Sequence, residues 1–339
     1  MKKSLFAMLM AASMTIGWAL PQQAVAADDD FTKIRLRMTV NGTDIANDTR
    51  AARLFAKMVE EQSNGAVVIQ VFPNDQLGGG SQAKGVEMLS QGITDMAAYS
   101  TSIISLLDDK MMVSTMPWTF TSYDEAEALF LPDASGGQYI SKVMAGKGLV
   151  YLGSVHNGFK LMTSGKRPIQ KPEDLNGLKM RIPGGALFMD FYKAFGADPI
   201  AMTWTEVFTA LQQGTIDGHD NSASTINSAN VFEVQKYMTV TNHTYEAFSF
   251  AINQKKFDSM NEKTQKLVRE KLVEAVLETN KAIVSEEQGI KDKFVAAGVE
   301  LYTLSPEEMA QFKAVIQVPV IDKYKETFGA EGCAAFNIQ

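Results

Sequence analysis

The stretch Gly177-Leu178-Lys179-Met180-Arg181-Ile182-Pro183 sets an arginine near the end of a short apolar run. Ahead of it, Pro172-Glu173-Asp174-Leu175-Asn176 is a helix-sized turn that a glycine ends, and a proline closes the strand behind it. A cation in a short apolar strand has to find a partner. Arg181 offers a planar fork of donors that fits a carboxylate two-to-two. The same local pattern also describes an internal ion pair or a solvated strand end, so the rest of the chain must decide.

Outward from this strand, the chain alternates strands and helices. Ile34, Leu36, Met38 and Val40 alternate with Arg35, Arg37 and Thr39, which predicts a half-buried strand. A helix with Ala51, Leu54, Phe55, Met58 and Val59 on one face follows, then a strand over 67–72, a helix through Val86 and Leu89, and a strand over 94–99. This β-α-β-α-β order signals a parallel sheet. The same logic returns around Arg181 without a true sequence repeat. A strand over 149–155 ends at His156-Asn157-Gly158, a further one spans 160–163, and Ile216-Asp217-Gly218 makes a tight strand or turn. Ser122-Tyr-Asp-Glu125, Thr203-Trp-Thr-Glu206, Ser259-Met-Asn-Glu262 and Ser305-Pro-Glu-Glu308 have capping-box spacing. The third opens an amphipathic pattern reaching Gly298, long enough for one bent helix or two in sequence. The last seven residues show no pattern and are expected to be loose.

At 339 residues the chain can form one large or two medium domains. Lys2 and Lys3, an apolar run from Leu5 to Leu20 and Ala24-Val25-Ala26 compose a signal peptide over 1–26, with cleavage near Ala26. The product is expected to be soluble outside the inner membrane, with neither a spanning segment nor a lipid-bearing cysteine at the cleavage site. Its formal charge of −7 becomes −9 without Lys2 and Lys3, which argues against nucleic acid as a partner. Cys333 is the one cysteine, so a disulfide-free core must hold the fold.

Catalytic and cofactor patterns fail on spacing. Gly158 to Gly165-Lys166 is not a P-loop, Gly78-Gly79-Gly80 lacks the dinucleotide fingerprint and reads as a flexible connector, and Asp217 to Asn221 misses the calcium-loop register. His156, His219 and His243 lack ligand spacing, there is no nucleophile elbow, and no cofactor is expected. A binding set remains. Arg181 can fork a carboxylate, Trp204 lies where a ring can cover a ligand or fill a core, Asn221 can donate and accept or simply serve a turn, and Lys160 is a second cation.

The runs Asn157-Gly158-Phe159-Lys160-Leu161-Met162-Thr163, Arg167-Pro168-Ile169 and Pro172 to Pro183 resemble the solute-binding subunits of tripartite ATP-independent periplasmic (TRAP) transporters, in the dicarboxylate-binding family. Glu206 to Gly214, Asp217 to Asn221, Phe232 to Tyr237, Thr241-Asn242-His243 and, in the first half, Phe72-Pro73 with Gln76-Leu77-Gly78 extend the resemblance over nearly the whole chain.

The resemblance implies an α/β chain with a type II periplasmic-binding fold: two lobes with mostly parallel sheets, crossing strands and a long hinge-spanning helix. The lobes are expected at 27–157 plus 247–286 and at 158–246 plus 287–339. The ligand would sit between them. By the family's pattern Arg181 forms the main salt bridge to a substrate carboxylate, Asn221 supports it, Trp204 packs on the ligand, and Asn41 and Ser100 contribute from the first lobe. Lys160 stands where the family often has arginine, and lacks the planar fork. Gly80 and Ser100 replace charged residues of some acidic-sugar binders, and His219 replaces a common glutamine. These departures point to a less decorated acid and leave a small dicarboxylate, an aromatic acid and a sugar acid open. The expected function is periplasmic capture of an organic acid for membrane permease subunits, without chemistry. The rivals are a secreted α/β enzyme acting on a small acid and a binding subunit that signals to a sensor.

Overall fold

The computed structural model describes residues 30–339, and the expected signal peptide lies outside them. Ten strands are built in chain order: β1 (Ile34–Val40), β2 (Val67–Phe72), β3 (Met96–Ser100), β4 (Leu149–Ser164), β5 (Lys179–Ile182), β6 (Asp198–Ala201), β7 (Gly218–Ser222), β8 (Tyr237–Val240), β9 (Tyr245–Asn253) and β10 (Glu300–Thr303). In β1 the arginines Arg35 and Arg37 face out while Leu36 and Met38 are buried, as period-two alternation predicts.

The strand order β2-β1-β3-β9-β4-β7-β5-β6, with β8 joining β4 to β10, makes two lobes that share two strands. The parallel pairings are β1 with β2 and β3, β5 with β6 and β7, and β8 with β10. Every antiparallel pairing among the described residues involves β4 or β9, the strands that cross between lobes. The sixteen-residue β4 pairs with β9 through Phe159, then with β7 and β8 from Lys160 onward. The sequence suggested a break at Asn157-Gly158. The strand instead runs through, with a register irregularity between His156 and Gly158. Gly158 has φ +122°, and a Cβ there would lie 2.8 Å from the Tyr123 hydroxyl, so the crossing needs glycine at this point.

One helix, Glu262–Ala296, covers 35 residues, or about 50 Å at 1.5 Å per residue. Leu267, Val268, Leu272 and Val276 enter the core under β1, β3 and β9, whereas Phe294 enters the core around Leu161, Val207 and Phe232. The helix therefore ties one lobe's core to the other's. Its cap is not the predicted Ser259 but Asn261, whose side chain accepts from the Thr264 amide at 3.0 Å. Ser259 closes the preceding short helix, Gln254–Asp258.

The chain end is not loose. A helical segment covers Lys323–Ala335 and Phe336 is 1% exposed, with its ring packed on Phe130 at 5.6 Å. This segment bridges the lobes: Tyr324 donates to Asp190 at 2.9 Å, and Ser135 donates to the Ala335 carbonyl at 2.8 Å. Among the described residues no helix is long and apolar enough to cross a membrane.

Candidate ligand cleft

The ends of β3, β5, β7 and β9 meet the middle of β4 around a cleft between the lobes. Arg181, Lys160, Trp204, Asn221, Ser100 and Asn41 all line it. β5 and β7 pair in parallel with Arg181 opposite His219, and β4 and β7 pair with Leu161 opposite Asn221, so the second lobe's contributions share one edge.

Arg181 is 3% exposed. Its Nε and Nη2 donate to the Met202 carbonyl at 2.9 and 2.8 Å, and its guanidinium lies 5.5 Å from the centre of the Trp204 ring. No carboxylate lies within 4.0 Å of it among the described residues. Burial lowers its pKa to about 10, against the opposing pull of Asp220 and Glu246, so it stays charged at neutral pH. One edge of the fork is thus pinned to the backbone, and the Nη1/Nη2 end retains donors for an anion.

Lys160 lines the cleft but is not a free cation. It is 2% exposed, with Nζ 3.1 Å from Glu246 and 3.5 Å from Asp220, and the Phe188 ring centre at 4.6 Å. Burial would lower its pKa, but Asp220 and Glu246 outweigh that and raise it. Burial likewise pushes Asp220 upward, but Lys160 and a 2.9 Å contact from His243 overcome it, holding the carboxyl well below the usual range. Glu246 also accepts from the Ser102 amide at 3.0 Å and from the Ser102 hydroxyl.

The neutral groups keep some capacity in hand. Asn221 Oδ1 accepts from the Ser222 amide at 3.0 Å, while its Nδ2 has no partner among the described residues. Asn41 donates to Asp75 at 2.8 Å, which leaves its own oxygen, and Ser100 shares a 3.0 Å contact with Ser102. Trp204 is buried at the start of the helix Trp204–Gln212.

Sequence reasoning missed Gln82, Asn157 and Glu246 as lining residues. Glu246 had a signal: like Arg181, it is one charge inside a buried strand run. Gln82 had none, since it meets the second lobe only through folding. Its Oε1 accepts from the Trp204 amide at 3.2 Å and the Thr203 hydroxyl at 3.3 Å. Thr203 therefore does not cap its helix with its side chain, contrary to its capping-box spacing. Gly80, read as part of a flexible connector, accepts from Thr203 at 3.2 Å and from Thr205 at 3.1 Å. Those contacts hold the two lobes together across the cleft.

A profile of the bacterial extracellular solute-binding proteins, family 7, matches residues 39–327. The chain belongs to that family. Its members are binding proteins rather than enzymes. It is similar to the C4-dicarboxylate-binding periplasmic protein DctP of Rhodobacter capsulatus, at 33% identity over 300 residues, covering 86% of this chain and 87% of that one. It is similar in structure to the sugar acid binding protein DctPAm of Advenella mimigardefordensis, solved with galactonate, with TM-score 0.85 and 26% identity over 91% of this chain and 98% of that one. A TRAP periplasmic solute binding protein of Sulfurospirillum deleyianum, solved with succinate, aligns with TM-score 0.83 and 26% identity, covering 90% and 99%. These likenesses agree with the two-lobed α/β fold expected from the sequence, and with its resemblance to TRAP solute-binding subunits.

Proposed function

We propose that this family member is a periplasmic protein that captures an organic acid between its lobes and passes it unchanged to TRAP-type permease subunits in the membrane. The carrying observation is Arg181, a buried guanidinium facing the cleft with its Nη1/Nη2 end unspent. In this reading its fork holds the carboxylate, Asn221 donates beside it, Trp204 covers the body of the acid, and Ser100 and Asn41 meet its far end. Lys160 acts through Glu246 and Asp220, keeping two buried carboxylates tolerable.

The lobes are proposed to divide near 157/158, 246/247 and 286/287; the first placing is supported by β4, which pairs with β9 up to Phe159 and with β7 and β8 only from Lys160 on. Closure about these crossings would dry the site and strengthen the charged pair.

The test is a screen of organic acids by thermal shift and tryptophan fluorescence, followed by recovery of the ligand. The expected result is saturable, stoichiometric binding that changes Trp204 emission and returns the acid unaltered. A ligand at 100 times its dissociation constant adds about 2.7 kcal/mol of stability. Turnover of the acid, or no stabilisation by any acid, contradicts the proposal.

A further inference from the structure

We infer that the cleft selects monocarboxylates bearing hydroxyl groups and discriminates against dicarboxylates of the same length. This rests on the organic-acid reading above and deepens it. Among the residues lining the cleft, Lys160, Arg181 and Glu246 carry charge. Arg181 has donors to spare, so one carboxylate has a place.

A second carboxylate has none. The ammonium of Lys160 sits 3.1 Å from Glu246 and 3.5 Å from Asp220, so two carboxylates already share one cation. The other oxygen of Glu246 is held by the amide and hydroxyl of Ser102, which fixes that carboxylate in the cleft wall. An anion brought toward Lys160 would therefore meet Glu246 and the buried Asp220 as well. At the first lobe the polar side chains of the wall are Asn41, Gln82, Ser100 and Ser102 among the apolar Ala46, Ile103 and Phe248, with no cation among them, and Asn41 is backed at 2.8 Å by the carboxyl of Asp75. Amides and hydroxyls suit ligand hydroxyls, whereas like charges in a dry site repel strongly.

The inference is tested with acid pairs that differ only at the terminal carbon: 2-hydroxybutyrate against malate, threonate against tartrate, and gluconate against glucarate. Affinities are measured by calorimetry on the whole mature protein and on Glu246→Gln, whose folding is checked by circular dichroism. The expected result is that the tightest ligand is a monocarboxylate and that each diacid binds at least roughly tenfold more weakly than its partner. Glu246→Gln, which releases Lys160 from one of its two anions, should narrow that ratio by about tenfold. A diacid that binds wild type as tightly as its monoacid overturns the inference while leaving the organic-acid reading intact. A folded Glu246→Gln with an unchanged ratio also overturns it. Failure of every acid of both classes removes the organic-acid reading, and the selectivity with it.

Discussion

The carbonyl of Met202 receives two hydrogen bonds from Arg181, from Nε at 2.9 Å and from Nη2 at 2.8 Å. Met202 follows β6, the neighbour of β5, so the sheet itself aims the guanidinium. The price of burying this cation is partly met by that carbonyl and by the Trp204 ring. A lysine in its place would lose both the pinned edge and the fork.

The pairing of Lys160 with Glu246 and Asp220 makes a stability prediction. Lys160→Met leaves two buried carboxylates without their ammonium, and should cost about 3–5 kcal/mol in urea denaturation. A variant within about 1 kcal/mol of wild type would show that the pairing contributes little.

Gln82 joins the lobes through the Trp204 amide and the Thr203 hydroxyl. Gln82→Ala removes the bond from the Trp204 amide, worth about 0.5–1.5 kcal/mol, and Gln82's share of the Thr203 hydroxyl proton, which also faces the Gly80 carbonyl. Bound acid should then leave roughly tenfold faster in stopped-flow release, with the association rate little changed. An unchanged release rate would mean that this latch does not hold the lobes closed.

His219 predicts a pH effect. Its Nδ1 meets the Asp220 carbonyl at 3.1 Å, which can only accept, so the proton sits on Nδ1 and the buried Nε2 has no partner among the described residues. Burial, aided by Arg181, lowers its pKa to about 4, and burial alone does the same to His156. Between about pH 4 and 6.5 the unfolded chain binds protons that the folded histidines refuse. Their contribution to stability is present above that window and is lost as pH falls through it. Asp48 and Asp75, raised by burial to about 7 and 6, act in the opposite sense, because the folded state keeps protons that the unfolded chain releases. The two pairs offset each other over much of the window. His219→Gln removes one rising contribution, so the variant should gain on wild type by up to about 1.4 kcal/mol per pH unit as pH falls from 6 to 4.5. Parallel stability profiles for the two proteins would refute the assignment of a low pKa to His219.

The Arg181 strand was legible because a charge inside an apolar run breaks a physical rule, and the break pointed to the cleft. Glu246 breaks the same rule in β9, as one charge in a strand buried throughout. Ser305 keeps its expected capping box, and its side chain has no other partner among the described residues. Thr203 has the same local spacing and spends its hydroxyl on Gly80 and Gln82 instead. Local pattern fixes a cap only where nothing distant offers a better bond. The unbroken β4 was illegible for a related reason: Asn157-Gly158 looks like a turn, but the crossing between lobes needs the backbone freedom that glycine supplies. The buried Phe336 could not be foreseen, since its pocket is built by Phe130, Phe120 and Tyr139, some 200 residues earlier.

The most direct test of the central claim is calorimetric titration of Arg181→Ala with whichever acid binds wild type most tightly. Losing one partner of a buried charged pair costs about 2–5 kcal/mol, so affinity should fall by at least about 30-fold while circular dichroism shows a folded protein. A folded Arg181→Ala that binds the acid as tightly as wild type would contradict the account.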